Sequence, residues 1–146
     1  MSKVESADLI LKLYDLRREE TMRKARDWMF TFNPTSADEY FGAMMNPEVG
    51  GYLRMVTSYW DMAASFVNHG AIEADMFNDT QGEHIMVFAK IEPILAELRE
   101  KFENPEAFKH FEKIAYKQTY MTAEIALLKH IGGEWKTVHQ SQLGKT

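Results

Sequence analysis

The chain contains no cysteine among its 146 residues. Disulfides, thiol nucleophiles and thiolate metal sites all need that residue, so these three kinds of chemistry are excluded. Long apolar runs are also lacking, since no uninterrupted stretch approaches the roughly 18 residues of a membrane span. Residues 6–20 alternate charged and apolar side chains and do not resemble a signal peptide. We therefore expect a cytoplasmic protein without a membrane segment.

A basic excess is lacking as well. The formal net charge is -5, from 22 acidic and 17 basic residues. Proteins that bind nucleic acid usually concentrate a basic excess on one face, so we expect no nucleic-acid partner. The charge is nevertheless uneven: residues 71–106 are strongly acidic, whereas residues 17–26 hold five bases and two acids. Attraction between two such stretches could bring two copies or two helices together. We favour the alternative, in which each stretch is a separate solvent-exposed face.

The spacings that mark metal and catalytic sites are missing too. A di-iron site in a helical bundle needs Glu-x-x-His on two helices, and neither that spacing nor His-x-x-x-His occurs. Ser65 and His69 are four residues apart, but a serine within a helix usually bonds its own backbone carbonyl. We therefore predict no catalytic residue, no metal site and no cofactor, and we lean toward a protein that is not an enzyme.

The features that are present are signals for the ends of helices. Gly70 and Gly132-Gly133 stand where helices would end, because glycine enters the left-handed conformation easily. Asparagine is a preferred helix N-cap, and proline is favoured at the first helical position. Three pairs of this kind occur: Asn33-Pro34, Asn46-Pro47 and Asn104-Pro105. They predict an all-α fold, an antiparallel bundle of four to five main helices with short connecting helices.

The apolar spacing predicts where these helices lie. Their approximate ranges are 7–32, 36–45, 46–70, 71–78, 83–102 and 105–131. Ser6 is expected to cap the first helix, and Ser36 with Glu39 matches the Ser-x-x-Glu capping box of the second. Pro93 should kink the fifth helix, because proline cannot donate the backbone hydrogen bond expected there. The first helix should bury one apolar stripe, formed by Leu11, Tyr14, Met22, Ala25, Met29 and Phe32.

The C-terminal end differs from the rest of the chain. Residues 134–146 are polar apart from Trp135, Val138 and Leu143, and we expect a loosely ordered tail there. A chain of this length fits one domain, and no linker divides it. We therefore predict a single bundle domain over residues 1–133.

Two polar residues, Arg18 and Gln118, interrupt predicted apolar stripes. A buried arginine must be paired, and Glu112 at the edge of the last stripe is a candidate partner. These three residues could form a polar cluster that binds a cofactor or a small polar ligand inside the bundle. Alternatively they fix the helix register, or Arg18 extends to solvent. We prefer this structural interpretation.

Some apolar residues are difficult to place in one core. Trp28, Met29 and Phe30 follow one another, so they cannot all face the same side of a helix. Our leading hypothesis is a non-enzymatic cytoplasmic interaction or regulatory module that self-associates, with itself or another protein as partner. The alternative is a small-molecule-binding or enzymatic helical domain with the polar cluster inside.

Residues 59–115 resemble a known protein family. The resemblance is carried by Tyr59-Trp60-Asp61-Met62-Ala63, Gly70-Ala71-Ile72, Ile91-Glu92-Pro93-Ile94, Asn104-Pro105 and Phe111-Glu112-Lys113-Ile114-Ala115. The chain looks like a family of uncharacterised bacterial all-helical proteins, defined as a domain of unknown function. The resemblance implies an all-helical cytoplasmic or membrane-associated domain. It implies no activity and no catalytic residue.

Overall fold

The computed structural model of the chain describes residues 2–116, and these form eight α-helices and one 3₁₀ helix, without a strand. The α-helices are α1 Lys3–Arg17, α2 Glu20–Thr31, α3 Ala37–Met45, α4 Gly50–Asn68, α5 Ala74–Thr80, α6 Glu83–Ile91, α7 Leu95–Lys101 and α8 Lys109–Tyr116. The 3₁₀ helix, Glu92–Ile94, joins α6 to α7. The all-α fold class is confirmed. The predicted tail at 134–146 and most of the last predicted helix lie outside the described residues.

Helix α4 lies at the centre of the core. Helices α2 and α8 pack along it, and α3 and α5 also contact it. Its buried apolar residues recur at steps of three and four, which places them on one face. They are Leu53, Val56, Tyr59, Trp60, Ala63, Ala64 and Val67. Two of these residues contact α1: Tyr59 bonds to Leu13, and Trp60 lies beside Arg17.

The first predicted helix, over residues 7–32, is wrong as a single element, because the chain breaks at Arg18 and Glu19 between α1 and α2. Glu19 has an extended backbone, and its carboxylate accepts hydrogen bonds from the N–H groups of Thr21 at 3.0 Å and Met22 at 2.9 Å. These bonds satisfy two backbone donors at the start of α2, and the helix N-terminus stabilises the negative charge of the Glu19 carboxylate. The same bonds lower the pKa of Glu19.

The predicted cap at Ser6 is also wrong. Helix α1 begins at Lys3, and the hydroxyl of Ser2 accepts the capping bond from the Glu5 N–H. Ser6 is buried within the helix, and its Oγ accepts a hydrogen bond of 3.1 Å from the Glu73 N–H. The serine that appeared to start the helix therefore ties α1 to the segment before α5.

The other local signals are largely confirmed. Ser36 caps α3 by accepting from the Glu39 N–H at 3.2 Å. Gly70 adopts φ +78°, and the Ala71 N–H donates to the carbonyl oxygen of Phe66, the pairing of a Schellman motif at the end of α4. Pro93 falls in the 3₁₀ helix that separates α6 from α7, so the predicted helix over 83–102 is interrupted at this proline.

Two of the predicted helix starts are displaced along the chain. Asn46 accepts hydrogen bonds from the N–H groups of the two residues at 48 and 49, yet regular helix α4 begins only at Gly50. Asn104 accepts from the Glu106 N–H in the same way, and α8 begins only at Lys109. In both cases Asn-Pro opens a turn that leads into the helix.

Candidate functional site

Glu83, the first residue of α6, bonds to two arginines from other helices. Its Oε2 lies 2.8 Å from Nη2 of Arg26 on α2 and 3.6 Å from Nη1 of Arg17 on α1. The Arg26 Nε also donates to both carboxylate oxygens at 3.0 Å. Only 11% of the Glu83 side chain is exposed. The hydrogen bonds to Glu83 raise the pKa of the Arg26 guanidinium, although partial burial opposes this shift.

This cluster corrects one interpretation of the charge pattern. Arg17 and Arg26 belong to the basic stretch, and Glu83 belongs to the acidic stretch. The two stretches therefore meet between helices of one chain at these residues, rather than forming two solvent-exposed faces. Two guanidiniums share one carboxylate, so the cluster carries an excess of positive charge.

Arg17 also contacts aromatic rings. Its Cζ lies 5.5 Å from the ring centroid of Tyr14 and 5.9 Å from that of Trp60, within the range of a cation–π interaction. The Nε of Arg17 is buried and has no hydrogen-bond partner among residues 2–116. One donor of this arginine is therefore left for a further acceptor.

His84 lies next to this cluster and is almost completely buried, with 2% of its surface exposed. Its ring centroid is 5.4 Å from that of Trp60 and 5.2 Å from that of Phe77. Within the described part of the chain, neither ring nitrogen has a hydrogen-bond partner. Burial lowers the pKa of His84 to about 4, so the imidazole is neutral at pH 7.

Several other side chains share this property. The Nε1 of Trp60, whose ring contacts His84, and the side-chain oxygens of Asn78 and Gln81 are buried and unpaired among the described residues. An unpaired buried polar atom costs about 1–3 kcal/mol, and such atoms in native proteins usually pair with water or a ligand. The unpaired Trp60 Nε1 thus belongs to a ring that contacts one neutral histidine, whose two ring nitrogens are also unpaired among the described residues. No pattern at the level of the sequence identified this group, because its members come from α1, α4, α5 and the start of α6.

The predicted polar cluster of Arg18, Glu112 and Gln118 shares no residue with the arginine–glutamate cluster around Glu83. Arg18 is exposed at the break after α1, as the solvent alternative predicts, and its Cζ lies 5.6 Å from the centroid of Tyr14. It lines an open surface depression of about 400 Å³. Glu112 pairs with Arg99 at 3.1 Å. Gln118 lies outside the described residues, so the three-residue cluster stays a prediction.

A pair of histidines lies at the end of α4. The ring centroids of His69 and His110 are 5.4 Å apart, and the Asn68 Nδ2 donates to the carbonyl oxygen of His110 at 3.1 Å. Within residues 2–116, no group of three or more His, Asp or Glu side chains is arranged to hold a metal ion. This pair therefore lacks the third protein ligand of a usual zinc site.

Helix α1 presents a row of apolar residues to solvent, which we call the outer stripe. It consists of Val4, Ala7, Leu11 and Tyr14, at steps of three and four residues. Val4 is 78% exposed, Leu11 is 65% exposed and Tyr14 is 46% exposed. The spacing is that of the a and d positions of a coiled coil. This corrects the predicted core stripe, since Leu11 and Tyr14 face outward.

A different face of α1 packs on the protein. Ile10 and Leu13 are buried there. The Tyr59 hydroxyl on α4 donates to the carbonyl oxygen of Leu13 at 2.6 Å, and burial raises the pKa of Tyr59 to about 12. Together with the bond to Ser6, this contact fixes the rotation of α1 about its axis. Helix α1 is apolar on two sides, and its tertiary contacts decide which side is covered.

The expectation about Trp28, Met29 and Phe30 is confirmed. Met29 is buried in the core, Trp28 stacks on Phe32 with centroids 4.7 Å apart, and Phe30 is exposed. No helix within residues 2–116 combines the length and the apolar character needed to cross a membrane.

The fold and these surfaces define an all-α protein whose notable features are an exposed apolar helix face and an internal polar cluster. A family model described as a domain of unknown function, DUF4760, matches residues 3–118. The chain therefore belongs to this family, and the match is longer than the resemblance over residues 59–115. No curated protein and no solved structure gives a significant match.

Proposed function

We propose that this chain is a cytoplasmic, non-enzymatic interaction module of a bacterial cell that self-associates through the outer stripe of α1. One observation carries the proposal. Among residues 2–116, three of the nine large apolar residues that are exposed lie in this one stripe. They are Val4, Leu11 and Tyr14. Single exposed apolar residues are ordinary, whereas contiguous rows of them are typical of interaction sites.

The size of the stripe sets the expected strength of association. Burying a Val or Leu side chain contributes roughly 1.5–3 kcal/mol, so six large side chains in a symmetric pair contribute on the order of 10 kcal/mol. Association itself costs about 4–15 kcal/mol in lost freedom. The two terms are similar in size. We therefore expect a weak dimer that depends on concentration, rather than an obligate one.

A pair of matched variants tests this proposal. Leu11→Ser removes an apolar side chain from the centre of the outer stripe, whereas Leu16→Ser removes another exposed leucine side chain from a different side of the same helix. Analytical ultracentrifugation should show at least a tenfold weaker dimer for Leu11→Ser and little change for Leu16→Ser. Equal effects of the two substitutions, or none, would contradict a role for the stripe.

A second candidate function is binding of a small polar ligand inside the bundle. The observation that favours it is the contact between the buried rings of His84 and Trp60, whose ring nitrogens are unpaired among the described residues, next to the excess positive charge of Arg17 and Arg26. A ligand with a carboxylate and a hydrogen-bond donor would match these groups. Thermal-shift screening of small amino and hydroxy acids should then raise the melting temperature of the unmodified chain, but not that of His84→Leu. Identical responses of the two proteins would remove this candidate.

A further inference from the structure

We propose that the outer stripe binds the same stripe of a second copy with the two α1 helices antiparallel. This inference rests on the self-association proposed above and adds the geometry of the pair. A contact between identical surfaces related by a two-fold axis is the commonest way in which soluble proteins dimerise. Two arrangements of the helices are then possible, parallel and antiparallel, and they place different residues opposite each other.

The sizes of the side chains favour the antiparallel arrangement. With the two-fold axis midway between Ala7 and Leu11, each small residue of the stripe meets a large one. Val4 lies opposite Tyr14 of the second copy, and Ala7 lies opposite Leu11 of that copy. In a parallel pair every residue meets its own equivalent, so two Ala7 methyl groups form a thin layer between thicker ones. Facing positions that alternate large and small side chains fill the interface more evenly.

The charges along α1 favour the same arrangement. The exposed charged residues of its N-terminal half are Lys3, Glu5 and Asp8, with one negative charge in excess. Those of its C-terminal half are Lys12 and Asp15, whose charges cancel. Arg17 is left out because it pairs with Glu83. With the axis between Ala7 and Leu11, an antiparallel pair places Lys3 of one copy at the level of Asp15 of the other and Glu5 about one residue from the level of Lys12, whereas a parallel pair places like charges at the same level.

The helix dipoles also favour the antiparallel arrangement. The N-terminus of an α-helix carries a partial positive charge and its C-terminus a partial negative charge. Antiparallel neighbours therefore bring ends of opposite sign together. Asp8 and Lys12 pair within α1 at 3.1 Å, and reversal of the second copy brings its Lys12 near the level of Asp8. Near the centre of the interface the two Asp8 carboxylates then lie about 3 Å apart in level, and each has the Lys12 of both copies beside it.

The absence of cysteine makes the geometry easy to test by crosslinking. The probes are two single variants of the full chain, Val4→Cys and Tyr14→Cys. In an antiparallel pair, equivalent positions 4 lie roughly 15 Å apart along the axis, at about 1.5 Å per residue. A disulfide requires Cα atoms within about 7 Å. Each variant alone should therefore crosslink poorly under mild oxidation, and an equimolar mixture should give at least fivefold more disulfide dimer.

The outcomes separate this inference from the proposed function. Strong crosslinking of each variant alone, with no gain on mixing, would overturn the antiparallel geometry but leave self-association standing. A chain that sediments as a monomer and gives no crosslink in any mixture would overturn both. A monomer in which the thiols of both variants resist alkylation would show that the chain itself covers the stripe, and it would also overturn both. Leu16→Cys, placed off the stripe, is the control for random collisions and should give no more dimer than either single variant.

Discussion

The hydroxyl of Tyr59 and the carbonyl oxygen of Leu13 form a hydrogen bond of 2.6 Å between α4 and α1. Because Leu13 faces the core, the residues on the opposite side of α1 must face solvent. Leu11 is one of them. The orientation of α1, on which the proposed interface depends, is therefore set in part by one buried tyrosine.

Tyr59→Phe tests this contact. The substitution removes one buried hydroxyl and retains the aromatic ring, so we expect the free energy of unfolding to fall by about 1 kcal/mol. Urea denaturation monitored by circular dichroism measures the change. Tyr14→Phe is the matched control, since the ring of Tyr14 is much more exposed, and it should leave stability nearly unchanged. Equal stability of the two variants would show that the Tyr59 bond does not hold α1.

Glu83→Gln should be strongly destabilising. The change removes the carboxylate that two arginines share, and breaking a buried ion pair costs about 3–5 kcal/mol. Because the side chains of Arg17 and Arg26 keep 16% and 25% exposure, we expect a smaller loss, about 2–3 kcal/mol. Glu20→Gln disrupts an exposed pair with Lys24 and should cost less than about 1 kcal/mol. Similar losses from both changes, measured by urea denaturation, would contradict the central role of Glu83.

His84 should make stability depend on pH. Its pKa is about 4 in the folded chain and near 6.5 in the unfolded one, so only the unfolded chain takes up this proton between those values. The contribution is therefore complete above pH 6.5 and is lost as the pH falls toward 4, by about 3 kcal/mol in total.

His84→Leu provides the comparison for this pH dependence. The variant lacks the titrating group, so its unfolding free energy should fall less between pH 7 and pH 4.5 than that of the unmodified chain. Carboxylates titrate in both proteins, and their contribution cancels when the two slopes are compared. Parallel losses of stability in the two proteins would show that His84 is not kept neutral by burial.

Gly50 and Gly51 should respond in opposite ways to alanine. A Cβ at Gly50 would lie 2.2 Å from the carbonyl oxygen of Met44, so the backbone must shift. Overpacking of this kind costs about 1–3 kcal/mol. A Cβ at Gly51 meets nothing within 4 Å, and alanine is favoured over glycine in a helix by about 0.5–1 kcal/mol. Thermal unfolding should therefore show a lower melting temperature for Gly50→Ala and a higher one for Gly51→Ala.

The features that sequence alone predicted are those with local causes. Gly70 ends α4 and Pro93 interrupts the predicted helix over 83–102, because backbone conformation at glycine and proline depends mainly on the residue itself. The cap at Ser36 likewise involves partners three residues apart. The break after α1 was missed because Glu19 caps α2 with a carboxylate from a residue that ordinarily favours helix interiors.

The features that sequence alone did not predict depend on distant partners. Arg26 and Glu83 are 57 positions apart, and neither carries a local sign of this pairing. Which face of α1 is buried also depends on residues that are distant in the sequence. Both sides of the helix hold apolar residues at helical spacing, and contacts with other segments, among them those of Tyr59 and Ser6, determine which side is buried.

Sedimentation equilibrium of the unmodified chain at tens of micromolar measures self-association itself. If the α1 helices of two copies pair, the average mass exceeds that of one chain and rises with concentration toward that of two chains. A mass equal to one chain across the whole range would contradict self-association through α1.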